Sequence, residues 1–352
     1  MNLNDYGATH AQPLANGLML ARIIATSHQQ YTIVTDAGRY RAQIAGRLAN
    51  QTVEAVDFPT IGDWVQVRLP ENADDTATIE RLNPRQTVFL RKTAGRRSDA
   101  QLVAANVDWL LLCMALDANF NLRRLERYLA VAAASGARAA IVLTKADKAA
   151  DLAAQLAAVA EIASDQPVLV CDATTAAGLT ELTAFMQPRV TYAFLGSSGV
   201  GKTTLINHLL GHGALLTAAV REHDAHGRHT TTSRQLLVLP NGSVVIDTPG
   251  MRELGLLDAN VDAAFDDVKA LAARCRFSDC THQQEPGCAV RAAVSAGELD
   301  KDRLESYLQL QTEQAQNSHL RGKARENAKI ERMFGGKKQM KAMMKEARKK
   351  RR

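Results

Sequence analysis

The sequence predicts a multidomain fold with an N-terminal β-barrel, a central α/β domain and a mainly helical C-terminal domain. Between residues 17 and 90, six short strand patterns are separated by turn residues such as Asp36-Ala37-Gly38. From Leu102 onward, strand and helix patterns alternate, which is typical of a mostly parallel sheet covered by helices. From Val261 the pattern is mainly helical. Because 352 residues are too many for one ordinary core, two or three domains are expected.

The strand-rich segment has the length and pattern of an OB-fold, a small barrel that often binds RNA on one face. A purely structural barrel stays open, because no aromatic pair suited to base stacking is evident. The basic segment after it, Arg91 to Ser98, either contacts phosphate or is a solvated linker. We divide the chain into a flexible arm (1–16), the barrel (17–90), a basic linker (91–101), the α/β domain (102–258), a helical domain (259–318) and a basic tail (319–352).

The composition indicates a soluble globular protein, with 46% hydrophobic and 23% charged residues. The longest strongly apolar run, Trp109 to Leu116, is too short to cross a membrane, and the N-terminus lacks the features of a secretory signal. We expect a cytoplasmic, monomeric protein without membrane contact. The charge is uneven, since residues 321–352 hold fourteen Lys/Arg against three Glu, a net +11 in a chain of net +6. Such a tail favours a polyanionic partner such as RNA.

The α/β domain contains a phosphate-binding loop with the spacing G-x-x-x-x-G-K-[ST]. A strand pattern at 190–195 precedes it and a helix pattern follows it, which is the context this motif requires. The residues expected to bind nucleotide here are Gly196, Ser197, Ser198, Gly199, Val200, Gly201, Lys202, Thr203 and Thr204. In such loops the backbone N–H groups surround the α- and β-phosphates, the lysine reaches the β- and γ-phosphates, and the hydroxyl of Thr203 binds Mg²⁺.

Two segments that follow predicted strands favour guanine as the base. Thr144-Lys145-Ala146-Asp147 fits the pattern Asn/Thr-Lys-x-Asp, in which the stem of Lys145 packs along the base. The carboxylate of Asp147 would accept hydrogen bonds from the guanine N1–H and exocyclic amine, a donor pair that adenine lacks. Ala173, after Cys171 and Asp172, would place its N–H near guanine O6. The alternative for Asp147 is an ordinary solvated turn.

Asp247-Thr248-Pro249-Gly250 matches the D-x-x-G switch of nucleotide hydrolases. Asp247 is expected to hold Mg²⁺, and the N–H of Gly250 is expected to contact the γ-phosphate. The threonine run at 230–232 would supply a second hydroxyl for Mg²⁺, for which we choose Thr231.

The residue after this switch is Met251, whereas many GTPases have a glutamine there to orient the attacking water. Methionine cannot do this, so slow intrinsic hydrolysis is predicted. His229 is the candidate catalytic residue, because a neutral imidazole can accept a proton or orient water. A histidine that only packs in the loop is the alternative.

A cluster of three cysteines and one histidine predicts a metal site in the C-terminal domain. Its members are Cys275, Cys280, His282 and Cys288. Three thiolates and an imidazole suit one tetrahedral zinc ion, and four protein ligands leave no open position, so the zinc should be structural. The odd total of five cysteines argues against a disulfide framework.

The nucleotide-binding motifs run in an unusual order, with base reading before the phosphate loop and the D-x-x-G switch last. This is a circular permutation. The chain thereby resembles the circularly permuted, ribosome small-subunit-dependent GTPases of the RsgA (YjeQ) family over nearly its whole length. The likeness rests on the permuted motifs, the Cys/His cluster and the segments Ile61-Gly62-Asp63-Trp64-Val65, Ala105-Asn106-Val107-Asp108, Phe120-Asn121-Leu122 and His229-Thr230-Thr231-Thr232.

The resemblance implies an OB-fold, a central P-loop GTPase domain and a C-terminal zinc domain. It implies GTP hydrolysis stimulated by the small ribosomal subunit, a role in late maturation of that subunit, and contacts to its rRNA. It also implies a catalytic role for His229. Thr144 in place of asparagine and Asp172 in place of serine depart from the family pattern and could soften guanine affinity. The tail is more basic than the resemblance leads us to expect.

Two other functions stay open on the sequence. One is a P-loop ATPase or kinase, which Asp147 disfavours and which competition between GTP and ATP would test. The other is an RNA-binding protein in which nucleotide is only structural. Turnover with and without small subunits would separate it from a GTPase.

Overall fold

The structure is a computed structural model, and every structural statement below concerns the residues it describes. These are residues 2–8, 14–27, 30–52, 55–72, 75–92, 100–172, 178–197, 199–211, 234–247, 264–312 and 314–315. Within this part of the chain, no helix combines the length and the apolar character that crossing a bilayer requires.

The N-terminal unit is a closed five-stranded barrel, which confirms the predicted barrel. Its strands are β1 (Met19–Ser27), β2 (Gln30–Thr35), β3 (Gly38–Ile44), β4 (Trp64–Arg68) and β5 (Ala77–Leu82), with a short helix α1 (Gly46–Gln51) between β3 and β4. The strands pair in the order β1-β2-β3-β5-β4, and β4 pairs again with β1 to close the barrel. Alternating apolar residues such as Ile23, Ile33, Val65 and Ile79 fill its interior.

The sixth strand predicted for the barrel lies outside it. β6 (Val88–Lys92) pairs instead with β7 (Ala100–Ala105) in a separate antiparallel hairpin. Both ends of the segment assigned to a basic linker therefore belong to paired strands, while residues 93–99 lie outside the described residues. The spacing of strands along the chain does not reveal which partner each strand takes, so the hairpin was missed.

The central domain is the predicted mostly parallel sheet. Its strands are β8 (Trp109–Ala115), β9 (Arg138–Thr144), β10 (Val168–Val170), β11 (Thr191–Leu195), β12 (Arg234–Val238) and β13 (Val244–Asp247), in the order β10-β9-β8-β11-β13-β12. All neighbouring pairs are parallel except the β12–β13 hairpin. The helices between them are α2 (Leu122–Ser135), α3 (Leu152–Ile162), α4 (Leu179–Phe185) and α5 (Lys202–Leu209).

Local sequence explains where these helices begin. The side chain of Asn121 accepts a hydrogen bond from the backbone N–H of Arg124 at 2.9 Å and caps α2. Asp151 caps α3 in the same way through the N–H of Ala154 at 3.0 Å. One sheet face packs against α2 and the C-terminal helices, and the other packs against α4 and α5.

The barrel and the central sheet are joined by backbone hydrogen bonds. β1 of the barrel pairs with β12, the edge strand of the central sheet, so that Ala25 lies opposite Gln235. Gly62 of the barrel also lies against β7, where an added Cβ would come within 2.1 Å of the carbonyl oxygen of Ala105. Gly62 has φ +86°, so both space and backbone conformation require glycine there.

The C-terminal unit is helical, as predicted, and packs directly on the central domain. It contains α6 (Asp266–Ala272), α7 (Ala289–Ala296) and a helix at 301–312, which we label α8. Phe265 and Tyr307 pack in a tilted arrangement with their ring centroids 5.4 Å apart. Both residues belong to the hydrophobic cluster that includes Leu125 and Leu129 of α2.

A buried ion pair also links α8 to α2. Arg303 donates to the Oε1 of Glu126 at 2.8 Å and forms a second pair with Asp267 at 2.6 Å. Ser306 donates to the other oxygen of Glu126. Burial raises the pKa of Glu126 above its ordinary value, and the hydrogen bonds from Ser306 and Arg303 oppose that shift. Ser306 and Arg303 therefore both stabilise the ionised form of Glu126 in the interior.

Replacing Arg303 by leucine is expected to destabilise the protein by about 3–5 kcal/mol, because the substitution leaves the Glu126 carboxylate buried without its cation. The urea midpoint for unfolding measures the loss. Lys301→Leu on the same helix is the matched control, since its ion pair with Glu305 is exposed, at 77% and 53% of the two side chains, and contributes about 1 kcal/mol at most. Equal midpoints for the two variants would contradict the structural role of the Arg303 network.

Candidate functional site

The sequence-predicted nucleotide residues that the structure describes meet at the carboxyl edge of the central sheet. The phosphate loop connects β11 to α5, Thr144 ends β9, and Asp247 ends β13. Asp172 follows β10 and is buried. The carboxyl edge of a parallel sheet is where open α/β folds bind ligands. Residues as far apart in the chain as Thr144 and Asp247 are thus brought to one edge by the strand order.

The phosphate loop lies tightly against the neighbouring strand β8. An added Cβ at Gly196 would lie 2.6 Å from the carbonyl oxygen of Cys113, so only glycine fits at the start of the loop. Gly199 and Gly201 have φ of +79° and +95°, a conformation that glycine adopts without strain. The ammonium of Lys202 lies across the loop and donates to the carbonyls of Gly196 at 2.5 Å and Ser197 at 2.7 Å. A loop built this way turns its backbone N–H groups toward a bound anion.

Thr144 connects the base-reading segment to the phosphate loop. Its side chain is buried, and its hydroxyl donates to the carbonyl oxygen of Val200 at 2.6 Å. In the pattern Asn/Thr-Lys-x-Asp, Thr144 occupies the position at which asparagine is commoner. The structure places its hydroxyl where it holds the phosphate loop in register with β9.

Lys145 has a left-handed backbone, with φ 58°, which is uncommon for a residue other than glycine and is often found at functional sites. Its ammonium forms an ion pair with Asp117 at 2.8 Å. This hydrogen bond, together with one from the Asn119 backbone N–H, lowers the pKa of Asp117 to about 2. The pair fixes the direction of the Lys145 side chain. Asp147, two residues further on, is exposed at the sheet edge.

Sequence reasoning missed Asp117 and a second residue of the same segment, Arg124. Arg124 lies 3.4 Å from the hydroxyl of Ser197 in the phosphate loop. The segment between β8 and α2 therefore contacts both the base-reading segment and the phosphate loop, because β8 lies between β9 and β11. A charged residue directly after a buried strand was the available signal for Asp117, since such positions reach the ligand edge.

Five predicted site residues lie outside the described residues. They are Ala173, Ser198, His229, Thr231 and Gly250. Met251 and the basic tail at 319–352 also lie outside them. Of the predicted magnesium ligands, Thr203 is described as an exposed residue in the first turn of α5, and Asp247 is described at the end of β13. A hydroxyl and a carboxylate at one sheet edge are oxygen donors of the kind that Mg²⁺ binds.

The Cys/His cluster forms a metal-binding group. The ligand atoms of Cys275, Cys280, His282 and Cys288 all lie within 4.8 Å of one another. The Nδ1 of His282 is 3.6 Å from the sulfur of Cys275 and 3.5 Å from that of Cys288, and these two sulfurs are 3.9 Å apart. Ideal tetrahedral zinc geometry gives about 3.6 Å between sulfur and nitrogen and about 3.8 Å between sulfurs. Cys275, His282 and Cys288 therefore have the spacing of a tetrahedral site, and the sulfur of Cys280 lies within 4.8 Å of all three donors.

Glu285 shapes the loop that carries His282, a role that no sequence pattern indicates. Its carboxylate accepts hydrogen bonds from the backbone N–H groups of Thr281 at 2.9 Å and of Gln283 and Gln284 at 3.1 Å each. The Thr281 hydroxyl donates to it as well, and these contacts lower the pKa of Glu285 to about 2. The loop can thus hold His282 in its left-handed conformation, with φ 61°.

Comparisons with known proteins agree with this arrangement. The sequence model of the RsgA GTPase family matches residues 82–257. "Small ribosomal subunit biogenesis GTPase RsgA 2" of Lactiplantibacillus plantarum is 48% identical over 345 residues, 97% of each chain. "Small ribosomal subunit biogenesis GTPase RsgA" of Opitutus terrae is 45% identical over 323 residues, which are 89% of this chain and 88% of that one.

Two solved structures share the fold at 23% sequence identity. The crystal structure of YjeQ from Thermotoga maritima has a TM-score of 0.62 and covers 85% of this chain and 99% of its own. YloQ, described as a circularly permuted GTPase, has a TM-score of 0.60 and covers 87% of this chain and 98% of its own. With the motif order, the sheet-edge geometry and the relatives in agreement, the chain belongs to the RsgA GTPase family.

Proposed function

We propose that this chain, a GTPase by its family, acts on the small ribosomal subunit as a late maturation factor whose GTP hydrolysis the subunit stimulates. The observation that carries the proposal is the junction at the carboxyl edge of the central sheet, where Thr144 and Lys202 both bind phosphate-loop carbonyls. The names of its relatives support the ribosomal part. We place the protein in the cytoplasm as a monomer that contacts rRNA, and the basic tail is a candidate for that contact.

The predicted site residues have distinct proposed roles at the nucleotide. Residues 196–204 bind the phosphates, Lys202 supplies positive charge to the β- and γ-phosphates, and Lys145 packs along the base while Asp117 holds it in place. Asp147 and Ala173 read guanine. Thr203, Thr231 and Asp247 would hold Mg²⁺, which neutralises phosphate charge during hydrolysis. Gly250 contacts the γ-phosphate.

His229 is the proposed catalytic residue, orienting the attacking water in place of the missing glutamine at Met251. Because no glutamine is available there, intrinsic turnover should be slow until the subunit completes the site. A His229→Ala variant that bound and hydrolysed GTP at unchanged rates would contradict this assignment.

The metal of the Cys/His group is proposed to be one structural zinc ion. Three sulfur donors and one imidazole at tetrahedral spacing suit zinc better than Mg²⁺ or Ca²⁺, which prefer oxygen. When bound, the ion would connect the turn before α7 to the segment after α6. All four positions are protein ligands, so the site is closed to substrate.

The test of the function is GTP turnover with purified small subunits, large subunits or no ribosomal particle. Stimulation by small subunits alone is expected. A rate that small subunits leave unchanged would favour a nucleotide-dependent RNA-binding protein instead. Competition between GTP and ATP for binding tests the alternative of an ATPase or kinase. Tighter binding of GTP would exclude that alternative, and tighter binding of ATP would support it.

Asp147→Asn should weaken GTP binding by about 100-fold or more, because it removes two charge-assisted hydrogen bonds to guanine. The same variant should bind XTP better than the wild type does, since the amide donates to the xanthine 2-oxygen. Competition against a fluorescent guanine nucleotide measures both affinities. Asp151→Asn is the matched control, because asparagine caps α3 as well as aspartate does. An equal loss of GTP affinity in both variants would show that Asp147 does not read the base.

A further inference from the structure

A cavity lies at the opposite edge of the central sheet from the phosphate loop. It has a volume of about 130 Å³ and opens between the barrel and the amino ends of β8, β9 and β11. The side chains that give it its chemical character are Arg22, Trp64, Asn106, Asp108, Arg138 and Arg189. Three of these six are arginines, so the cavity is unlike an apolar packing defect.

Arg22 of β1 is buried with only 1% of its surface exposed. Its guanidinium donates to the carbonyls of Tyr6, Gly62 and Asn106 and, at 2.9 Å, to the hydroxyl of Thr191. All of these acceptors are neutral, and among the described residues no carboxylate lies within ion-pair distance of Arg22. The carboxylates of Asp108 and Asp63 act on this charge electrostatically from beyond ion-pair distance, and no close contact within the described part of the chain neutralises it. Buried charges in proteins are ordinarily paired.

The remaining charges in the cavity leave it positive. Arg138 and Arg189 are exposed at its rim, and the Arg138 guanidinium stacks 4.4 Å above the ring of Trp109. Asp108 carries the one carboxylate among the described lining residues, and its Oδ2 accepts a hydrogen bond from the Thr191 N–H at 2.7 Å. Three guanidinium groups against one carboxylate give a net charge of +2.

The backbone is strained at two of the residues that line the cavity. Among the described residues, four other than glycine have positive φ, and two of them, Asn106 at 55° and Arg189 at 65°, line this cavity. Such conformations gather at ligand sites. Two sequence segments that the nucleotide and metal sites leave unused, 61–65 and 105–108, also meet here through Trp64 and Asn106.

We propose that this cavity binds a phosphate-sized oxyanion, either free inorganic phosphate or a backbone phosphate of RNA. The volume corresponds to about four water molecules, which is room for such an anion. Guanidinium groups are the side chains best matched to the geometry of phosphate oxygens. Because Arg22 belongs to the barrel while Arg138 and Arg189 belong to the central domain, a bound anion would connect the two domains at a point remote from GTP.

Calorimetric titration of the full-length protein with inorganic phosphate tests the proposal. Saturating GDP and Mg²⁺ are present throughout, so that the phosphate loop is filled, and chloride keeps the ionic strength constant. The wild type is expected to bind one phosphate, and Arg138→Gln combined with Arg189→Gln should bind it about tenfold or more weakly. Arg39→Gln combined with Arg41→Gln, two exposed arginines of β3, is the control with the same loss of charge. Arg22 is left intact, because its removal would disturb domain packing.

A second titration with a uridine hexanucleotide distinguishes the two sources of phosphate. If an RNA phosphate is the ligand, the oligonucleotide binds, inorganic phosphate displaces it, and the Arg138/Arg189 variant binds it more weakly than the Arg39/Arg41 control. Phosphate binding without such competition identifies the free ion. The proposal is overturned if the wild type binds neither probe, or if the Arg138/Arg189 variant and its control bind both probes equally.

Discussion

Lys202→Ala is expected to lower GTP affinity by about 100-fold or more and to abolish measurable turnover at ordinary GTP concentrations. The Lys202 ammonium already lies at the mouth of the phosphate loop, held by the carbonyls of Gly196 and Ser197. Charge-assisted hydrogen bonds contribute about 1.5–3 kcal/mol each, and two of them to the β- and γ-phosphates account for a loss of that size. No other lysine or arginine side chain among residues 196–211 can replace this charge.

The measurement is a titration with a fluorescent GTP analogue, followed by single-turnover hydrolysis. Lys269→Ala is the control. Lys269 is exposed on α6, so this substitution removes the same charge at a distance from the loop. Thermal unfolding in the absence of nucleotide should be similar for the two variants, because Lys202 is not part of the hydrophobic core. GTP binding by Lys202→Ala at wild-type affinity would refute the phosphate-loop assignment.

The phosphate loop and the metal group were predictable because each is encoded by local spacing. Gly196 and Lys202 are six residues apart, and the Cys/His ligands span fourteen residues. A short segment with fixed residue types has few ways to place its side chains, so the chemistry follows from the pattern. The alternation of strands and helices predicted the central domain for a similar reason, because hydrophobic period is a local property.

The contacts that connect these parts could not be predicted, because they join residues far apart in the chain. Arg303 binds Glu126 across 177 positions, and Arg22 binds Thr191 across 169. Neither pair has a sequence pattern of its own, since strand order and domain packing decide which residues meet. Asp117 is an intermediate case, 28 positions from Lys145. Its place after a buried strand was visible, whereas its partner depended on β8 and β9 being neighbours.

Removing the metal ligand Cys288 is expected to have the largest structural effect of any single substitution in the C-terminal unit. Cys288 is buried, and its sulfur is within 3.9 Å of the sulfur of Cys275 and within 3.5 Å of His282. It also accepts a hydrogen bond from the Arg291 N–H and so caps α7. Structural zinc sites contribute about 10–16 kcal/mol of apparent binding free energy, which is comparable to the total stability of a typical domain, about 5–15 kcal/mol.

Cys288→Ala should therefore lose its metal and lose ordered structure in residues 275–288, while the nucleotide site stays intact. Elemental analysis after dialysis should find about one zinc per chain in the wild type and far less in the variant. Limited proteolysis should cut the variant within 275–288. GDP binding should survive, because the hydrophobic cluster on the sheet face that packs against α4 and α5 does not include these residues.

Cys171→Ala is the control that separates a lost ligand from a lost thiol. Cys171 is buried beside β10 and is not one of the four residues of the metal-binding group, so its replacement removes a thiol without removing a ligand. This variant should keep its zinc and resist the protease. If Cys288→Ala retained a full equivalent of zinc, or if the wild type contained none, the four residues would be a packed cluster of thiols and imidazole. In that case hydrophobic contacts would hold α6 and α7 together, and chelators would leave the unfolding temperature of the protein unchanged.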